Sequence, residues 1–593
     1  MISHALTVAA VLSRVRAATL SRPISSIVSI HTKGTIQTIG LRGSINEWDD
    51  ARHGSFVQRV GGPAAISGTD GWNSHVAWHA EPSGLVRIDG GRSTRLQDID
   101  QAYLDTYAYL RPSAAGARTA FLGERSEGGV AYDVVQVTPP GGSALQLWVD
   151  RKTSLIERVT GTIGMISSTT TLSDYRLVHG IAIPFQQATQ SSSGNNSTEA
   201  VASVTINEPL ATSFASPPRS DAHDYFISGG SSTTVPISLI NNHIYLRVKL
   251  DGKGPYTFIF DTGGTYVVTP AVAAALGASA GGHAQIHGVG AGSETVQFAH
   301  VKRLQIGKAT IANPDFLVLP IGQSFGVAEG FPIDGMIGYD VPARFLTTID
   351  YAARTMTLAI PGGMTPQGSA VPFFFDGTIP RVPITIDGVR TDAELDTGNR
   401  GAFDLFSPFL ASHPKIAAAA TTSDAVNGFG VGGPAMGRLG RVDVGIGTFA
   451  LDGVVAGFST QHTGALADPF TPANIGGDLW RRFTLTLDYP DYRIFLKPNA
   501  SYGTPFTYDR SGLFLINYHG GVMVLDARPG TPAAAAGLKK GDFILAVNGK
   551  AASAYTLAQL RALLSGAPGT AIRLHVRSGS ADRDLTLTLR DYV

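Results

Sequence analysis

A duplicated block constrains this chain more than anything else in its sequence. The segment IFDTGG carries Asp261, and ELDTGN carries Asp396, 135 residues later. Asp251-Gly252 precedes the first and Asp387-Gly388 the second, 136 apart. IDGMIG ends at Gly338, and PANIGG places the matching Gly476 138 residues on. TIDYAARTMTLAI and TLDYPDYRIFLKP hold Asp350 and Asp488, again 138 apart. Four landmarks in one order at nearly one spacing mean that a whole lobe is present twice. In each copy an apolar strand, Tyr256 to Phe260 or Ala393 to Leu395, runs straight into Asp-Thr-Gly. Gly263 and Gly398 permit a tight turn and close backbone approach there.

Two carboxylates brought into one small site cannot both ionise cheaply. One is pushed up, and the pair holds a single proton. That suits general acid–base work: the carboxylate draws a proton from water while the acid donates to a carbonyl. The titrations belong to the pair, so the sequence does not say which Asp holds the proton.

Around this core the 593 residues have room for about four domains. The expected layout is a β-rich domain over 1–215, a first lobe over 225–365, a second over 366–500 and a small domain over 508–593. The fold class expected is mainly β. Residues 1–215 break into short, partly alternating segments separated by turn residues, such as AYDVVQVTP and ALQLWVD. ATSFASPPRSDAHD, 211–224, reads as a linker. A hydrophobic share of 43% excludes a mainly disordered chain. Lys plus Arg equals Asp plus Glu at 46, so nothing supports binding to nucleic acid through bulk basic charge. There is no Cys, which removes disulfides, thiol catalysis and Cys-ligated metals. No HExxH motif and no ligand spacing among the His are present, so neither a metal nor another cofactor is expected. The start, MISHALTVAAVLSRVRAA, is a poor signal peptide and reads as a surface helix. No stretch has the length and apolarity of a membrane span.

The order of DTG, glycine-rich segment and apolar-Gly element, met twice, resembles the pepsin-like and retropepsin-like aspartic peptidases over about 270 residues. The resemblance implies an aspartic endopeptidase with one active site per chain, a polypeptide substrate and an Asp261/Asp396 catalytic dyad, the alternative being a noncatalytic peptide-binding or scaffold protein that keeps the fold. It further implies that Thr262 and Thr397 link the two loops, and that Gly263 and Gly398 bring their N–H groups to the carboxylates. Ile337-Gly338 and Ile475-Gly476 would pack beneath. The pattern departs at the position after DTG, where those families carry Ser, Thr or Ala. Gly264 has no side chain to offer the outer carboxylate oxygen, and Asn399 is the candidate donor in the second lobe. The glycine-rich segments 281–292 and 427–440 are expected to form mobile hairpins over a cleft. Gln285, His287 and Phe429 are candidates to face it, with ordinary loop roles as the alternative.

Near the C-terminus, AAAAGLKKGDFILAVNGK, 533–550, resembles the PDZ domains attached to bacterial proteases. The resemblance implies a backbone loop, Ser511-Gly512-Leu513-Phe514, holding the carboxylate of a peptide C-terminus. A helix starting near Thr556 would form the other wall of the groove. The expected part is substrate recruitment; packing on the lobes is the alternative. At the other end, Asp150, Thr153, Leu155, Asp174, Tyr175, Gly180 and Pro184 fall in a pattern similar to the periplasmic lipoprotein-carrier (LolA-like) domains. This implies a curved sheet that binds a lipid, a peptide or the envelope, or else braces the lobes. A bacterial protein of the periplasm or the exterior is the location expected, its signal lying outside this sequence.

Overall fold

The computed structural model describes residues 7–113 and 115–593. The chain is mainly β, as its alternating segments require, and divides into two compact units. The first holds the residues up to His223 together with Gly281–Gln285 and Phe374–Gly377; the second holds the rest. Among the described residues no helix is long and apolar enough to cross a membrane.

The first unit is one antiparallel sheet, continuous through the pairing of Ser29–Thr38 with Ser197–Ile206 on one side and Leu41–Asp50 on the other. Successive hairpins extend it in both directions. The helix Val8–Thr19 is no surface helix: it buries Val11, Leu12 and Val15 against Val135, Leu147 and Ile181. Its apolar residues recur at a helical spacing, while Arg14 and Arg16 turn to the edge, pairing with Asp133 and with the Leu110 carbonyl. Trp72 and Trp78 are buried, in keeping with a core role.

In the second unit the duplication becomes symmetry. The strands Leu346–Asp350 and Phe483–Asp488 lie side by side in a six-stranded sheet. Thr348 pairs with Thr486, its own counterpart 138 residues later, and their hydroxyls are 2.9 Å apart. A pseudo-twofold axis therefore passes between them. Each lobe repeats one device. Strand Lys253–Phe260 runs parallel to Gly335–Ile337, and Val389–Leu395 runs parallel to Ala473–Ile475. The last strand residue before each Asp, Phe260 or Leu395, sits opposite Ile337 or Ile475. The C-terminal module is a sheet built from Leu513–Tyr518, Gly521–Ala527, Phe543–Val547, Ala571–Ser578 and Ala581–Thr588. Its helix Leu557–Leu564 opens with a reciprocal Thr556/Gln559 cap and buries Leu557, Leu560 and Leu564.

Candidate active site

The two DTG turns meet on the axis. Thr262 N donates to Thr397 Oγ1 at 3.1 Å and Thr397 N to Thr262 Oγ1 at 3.0 Å. Each hydroxyl then donates across the axis, to Leu395 O at 2.7 Å and to Phe260 O at 2.8 Å. Both threonines are fully buried, so these four bonds satisfy groups that water cannot reach. Asp261 N and Asp396 N donate to Ile337 O and Ile475 O at 2.9 and 3.0 Å, which ties each turn to the strand beneath it. Gly263 N and Gly398 N reach the inner oxygens of Asp261 and Asp396 at 2.9 and 2.7 Å. A Cβ on Gly398 would stand 2.2 Å from the Asp261 carboxylate, so only glycine lets the two turns close. A Cβ on Gly338 would strike the Asp261 carbonyl at 2.1 Å, and one on Gly476 the Gly401 carbonyl at 2.3 Å. Burial, then the neighbouring Asp396 carboxylate, pushes Asp261 well above the usual carboxylate range.

The outer oxygens are treated differently in the two lobes. Asn474 Nδ2 donates to Asp396 Oδ2 at 2.6 Å and to Glu394 Oε2 at 3.1 Å. Asn399, the donor expected from sequence, does not bond Asp396. Its amide bonds Asp404 Oδ2 at 2.7 Å and Asn474 Oδ1 at 2.9 Å, which fixes which way Asn474 points. Among the described residues Asp261 has no such chain: a Cβ on Gly264 would lie 2.6 Å from Met336 Sδ, so the glycine makes room for a thioether. Glu394 is pushed up to about 8 by burial and by Asp396, and Asp404 to about 7 mainly by burial. Sequence reading missed Asn474, Glu394 and Asp404 as members of the site. The signal was present: their register partners in the first lobe are Met336, Ile259 and Val267, so polar residues replace apolar ones at three strand positions.

Both glycine-rich segments are hairpins, Ala280–His287 with Ser293–His300 and Ala425–Gly430 with Gly433–Ile446. Their tips are hydrogen bonded to each other: Gly290 N to Val431 O and Gly292 N to Gly432 O, both 3.0 Å. Beneath them a cavity of about 1010 Å³ is lined by Asp261, Asp396, His287 and Phe429.

The same cavity is lined by Leu513, Asp526 and Tyr592 of the C-terminal module. Asp526 Oδ2 accepts from Val426 N at 2.8 Å, and Arg528 bonds Ser423 O at 2.7 Å and also Asn427. The module thus packs on the outer strand of the second hairpin. The loop assigned to a peptide carboxylate is buried at Ser511, Leu513 and Phe514. Its N–H groups are already bonded: those of Ser511, Gly512 and Leu513 donate to Asp509 Oδ1 at 2.9, 2.7 and 3.3 Å. Phe514 lies under the Arg400 guanidinium, 4.8 Å from its ring centre.

In the first unit the carboxylates of Glu47, Asp49 and Asp105 lie within 4.8 Å of one another. Burial, then Glu47, pushes both Asp49 and Asp105 well above the usual carboxylate range.

Residues 246–341 match the family model described as aspartyl protease, and residues 523–578 match that of the PDZ domain. No curated protein matches the chain. Among solved structures it is similar to an aspartic proteinase from Irpex lacteus, at 13% identity over 46% of this chain and 99% of that one, with a TM-score of 0.31. It is also similar to a LolA superfamily protein from Nitrosomonas europaea, at 13% identity over 35% and 98%, TM-score 0.27. A DUF1329 family protein from Desulfovibrio piger matches at 16% identity over 35% and 94%, TM-score 0.28. The chain therefore carries an aspartic-protease domain and a PDZ domain. The first supports aspartic-type peptidase activity, and the second supports binding of a peptide ligand.

Proposed function

We propose that the chain is an endopeptidase in which Asp261 and Asp396 act as one catalytic dyad on a polypeptide held extended beneath the two hairpins. The observation that carries this is the crossed Thr262/Thr397 bonding, which seats both carboxylates on one axis, with Asp261 raised by burial and by Asp396. In this reading Asp261, the carboxyl that burial and Asp396 push up, is the acid that presents its O–H to the substrate carbonyl, while Asp396 takes a proton from the attacking water. The water oxygen bonds the carbonyl carbon and a neutral gem-diol forms. When the C–N bond breaks, Asp396 gives the proton it took from water to the departing amine, while Asp261 takes one back from a diol hydroxyl as the carbonyl re-forms, so the pair again holds a single proton. Asn474 keeps Asp396 oriented throughout.

The support for a site in the periplasm or outside the cell, and for lipid or envelope association of the first unit, is that unit's sequence resemblance to carrier domains. The test of the reading is hydrolysis of an unfolded protein substrate from about pH 3 to 8. Cleavage should be abolished by Asp261→Asn, by Asp396→Asn and by a transition-state inhibitor of aspartic peptidases, and be indifferent to a metal chelator. Full activity in either variant would refute it.

A further inference from the structure

We propose that the groove of the PDZ domain is closed by this chain's own segment Ala328–Gly330, and that this seat is wired to the second DTG turn. The segment is the C-terminal end of the helix Ile321–Glu329 with its left-handed cap, Gly330. It lies between the two walls that would hold a peptide, strand Leu513–Tyr518 and helix Leu557–Leu564. On the strand side, Ala328 packs with Phe514 and Ile516, and Asn517 Nδ2 donates to Gly330 O at 3.2 Å. On the helix side, a Cβ on Gly330 would stand 2.9 Å from Leu557 Cγ, so the cap fits only without a side chain. Arg561 spans both walls, bonding Ala328 O and, at 3.2 Å, Leu515 O. The carbonyl of Leu515, a backbone group that an added strand would use, is therefore taken. The nest for a terminal carboxylate is taken too, by Asp509 Oδ1.

The wiring runs through the residue between Ala328 and Gly330. Glu329 is 2% exposed; burial raises its pKa, but His243, with Arg400 and Arg561, outweighs this and holds it at about 2. Its Oε2 lies 3.0 Å from His243 Nδ1 and accepts from Tyr245 Oη at 3.1 Å and Asn241 Nδ2 at 2.9 Å. His243 Nε2 donates to Gly398 O at 2.8 Å, because a carbonyl can only accept. Gly398 is the residue whose N–H holds Asp396. From Arg561 of the PDZ helix to Asp396 there are thus four consecutive polar contacts: Arg561 to Glu329 at 4.0 Å, Glu329 to His243, His243 to Gly398, and Gly398 to Asp396. Arg561 and Asn517 are positioning residues, and the seat they close holds a turn of the dyad in place.

The test uses the full chain in three forms: unaltered, Gly330→Val, and the milder Arg561→Ala/Asn517→Ala. Gly330→Val is strained at φ +86° and meets Leu557, so it should expel the segment. Hydrogen exchange is read at 513–518 and at 396–400, and binding is read with a fluorescent peptide ending in valine, as free acid and as amide. The unaltered chain should protect 513–518 and bind neither peptide. The double variant should speed exchange at both segments and bind both peptides at least tenfold tighter, since the competent fraction rises. Acid and amide should bind alike, because Asp509 fills the nest. Binding of only the free acid by the unaltered chain would overturn the proposal, and so would variants whose 396–400 exchange is unchanged. If Gly330→Val fails to fold, the double variant decides. These readouts need no turnover, so they stand apart from the peptidase reading on which the last arm rests. That arm is short-peptide kcat, expected to fall about tenfold in the double variant with KM within twofold.

Discussion

The two lobes share a backbone plan and differ in what surrounds each aspartate. In the first, Ile259, Met336 and Gly264 leave the neighbourhood of Asp261 apolar. In the second, Glu394, Asn474 and Asn399 occupy the same register and hold Asp396 in a hydrogen-bonded chain. A symmetric pair of carboxylates has no reason to place its proton on one side. Here an amide N–H holds Asp396 Oδ2, and burial, then the neighbouring Asp396 carboxylate, pushes Asp261 up. Duplication supplies two equal acids, and three unequal neighbours give them different surroundings.

The strongest way to break that comparison is to remove one carboxylate at a time. Asp261→Asn and Asp396→Asn should each lower kcat/KM by about 10³-fold or more. Each should also leave the melting temperature equal or higher, because the substitution ends the competition of two buried acids. A variant that loses activity together with its cooperative melt would show damage to the fold instead of to the chemistry.

Next comes exchange of the neighbours between lobes. Asn474→Met gives Asp396 the surroundings of Asp261. It removes the donor to Oδ2 and strands the Asn399 amide, so kcat should fall about tenfold. Asn399→Ala should lower kcat by less, acting only through the orientation of Asn474. An unchanged kcat in Asn474→Met would mean that the amide is structural and that the difference between the lobes lies elsewhere.

The same contrast explains what was legible in the sequence. The repeat, the dyad and the apolar-Gly elements are local features: a turn that tolerates only glycine and a strand that must be buried both leave signatures within six residues. Mainly β architecture and the PDZ domain are legible for similar reasons, through turn residues and alternation. Asn474 was visible only as part of an element, because its role depends on a contact with Asp396, 78 residues away. The start of the chain misled in a related way: two arginines in an apolar run read as a surface, whereas helical geometry sends them to an edge and leaves Val11 and Val15 inside. Asp509 could not be weighed from composition at all. Its meaning comes from three backbone N–H groups folding around one oxygen.

The hairpins sharpen the comparison from above, since the lobes contribute equally at their tips. A Cβ on Gly290 would stand 2.1 Å from the Gly432 carbonyl carbon, so Gly290→Ala should separate them and break both tip-to-tip hydrogen bonds. The expected result is faster hydrogen exchange at 288–292 and 430–433 and a KM raised about threefold, with kcat changed less. A tight peptide inhibitor should slow exchange at both tips in the unaltered chain. Exchange that ignores both the substitution and the inhibitor would remove the hairpins as a lid.

The smallest effect expected is on stability, and it too separates the lobes. Glu394 is raised from 4.5 to about 8 and Asp404 from 3.8 to about 7. A carboxyl raised on folding keeps its proton in the folded state while the unfolded chain has already lost its own. Its contribution is therefore intact below about pH 4, where both states are protonated, and stability declines as pH climbs through the unfolded value toward 8. Ile259, the register partner of Glu394, has no proton to lose, so the first lobe carries no matching penalty. Glu394→Gln should therefore flatten the decline in melting temperature between pH 5 and pH 8, recovering about 3 °C at the upper end with little change at the lower. Glu329 works in the opposite sense, because its pKa is lowered from 4.5 to about 2. Its stabilisation is present above pH 4.5 and is lost toward pH 2, so Glu329→Gln should cost stability at neutral pH and little at pH 2. The two glutamates should thus give melting curves that tilt in opposite directions with pH. If both variants tilt the same way, the charges around Glu394 and Glu329 have been misassigned, and the polar chain that distinguishes the second lobe loses its electrostatic basis.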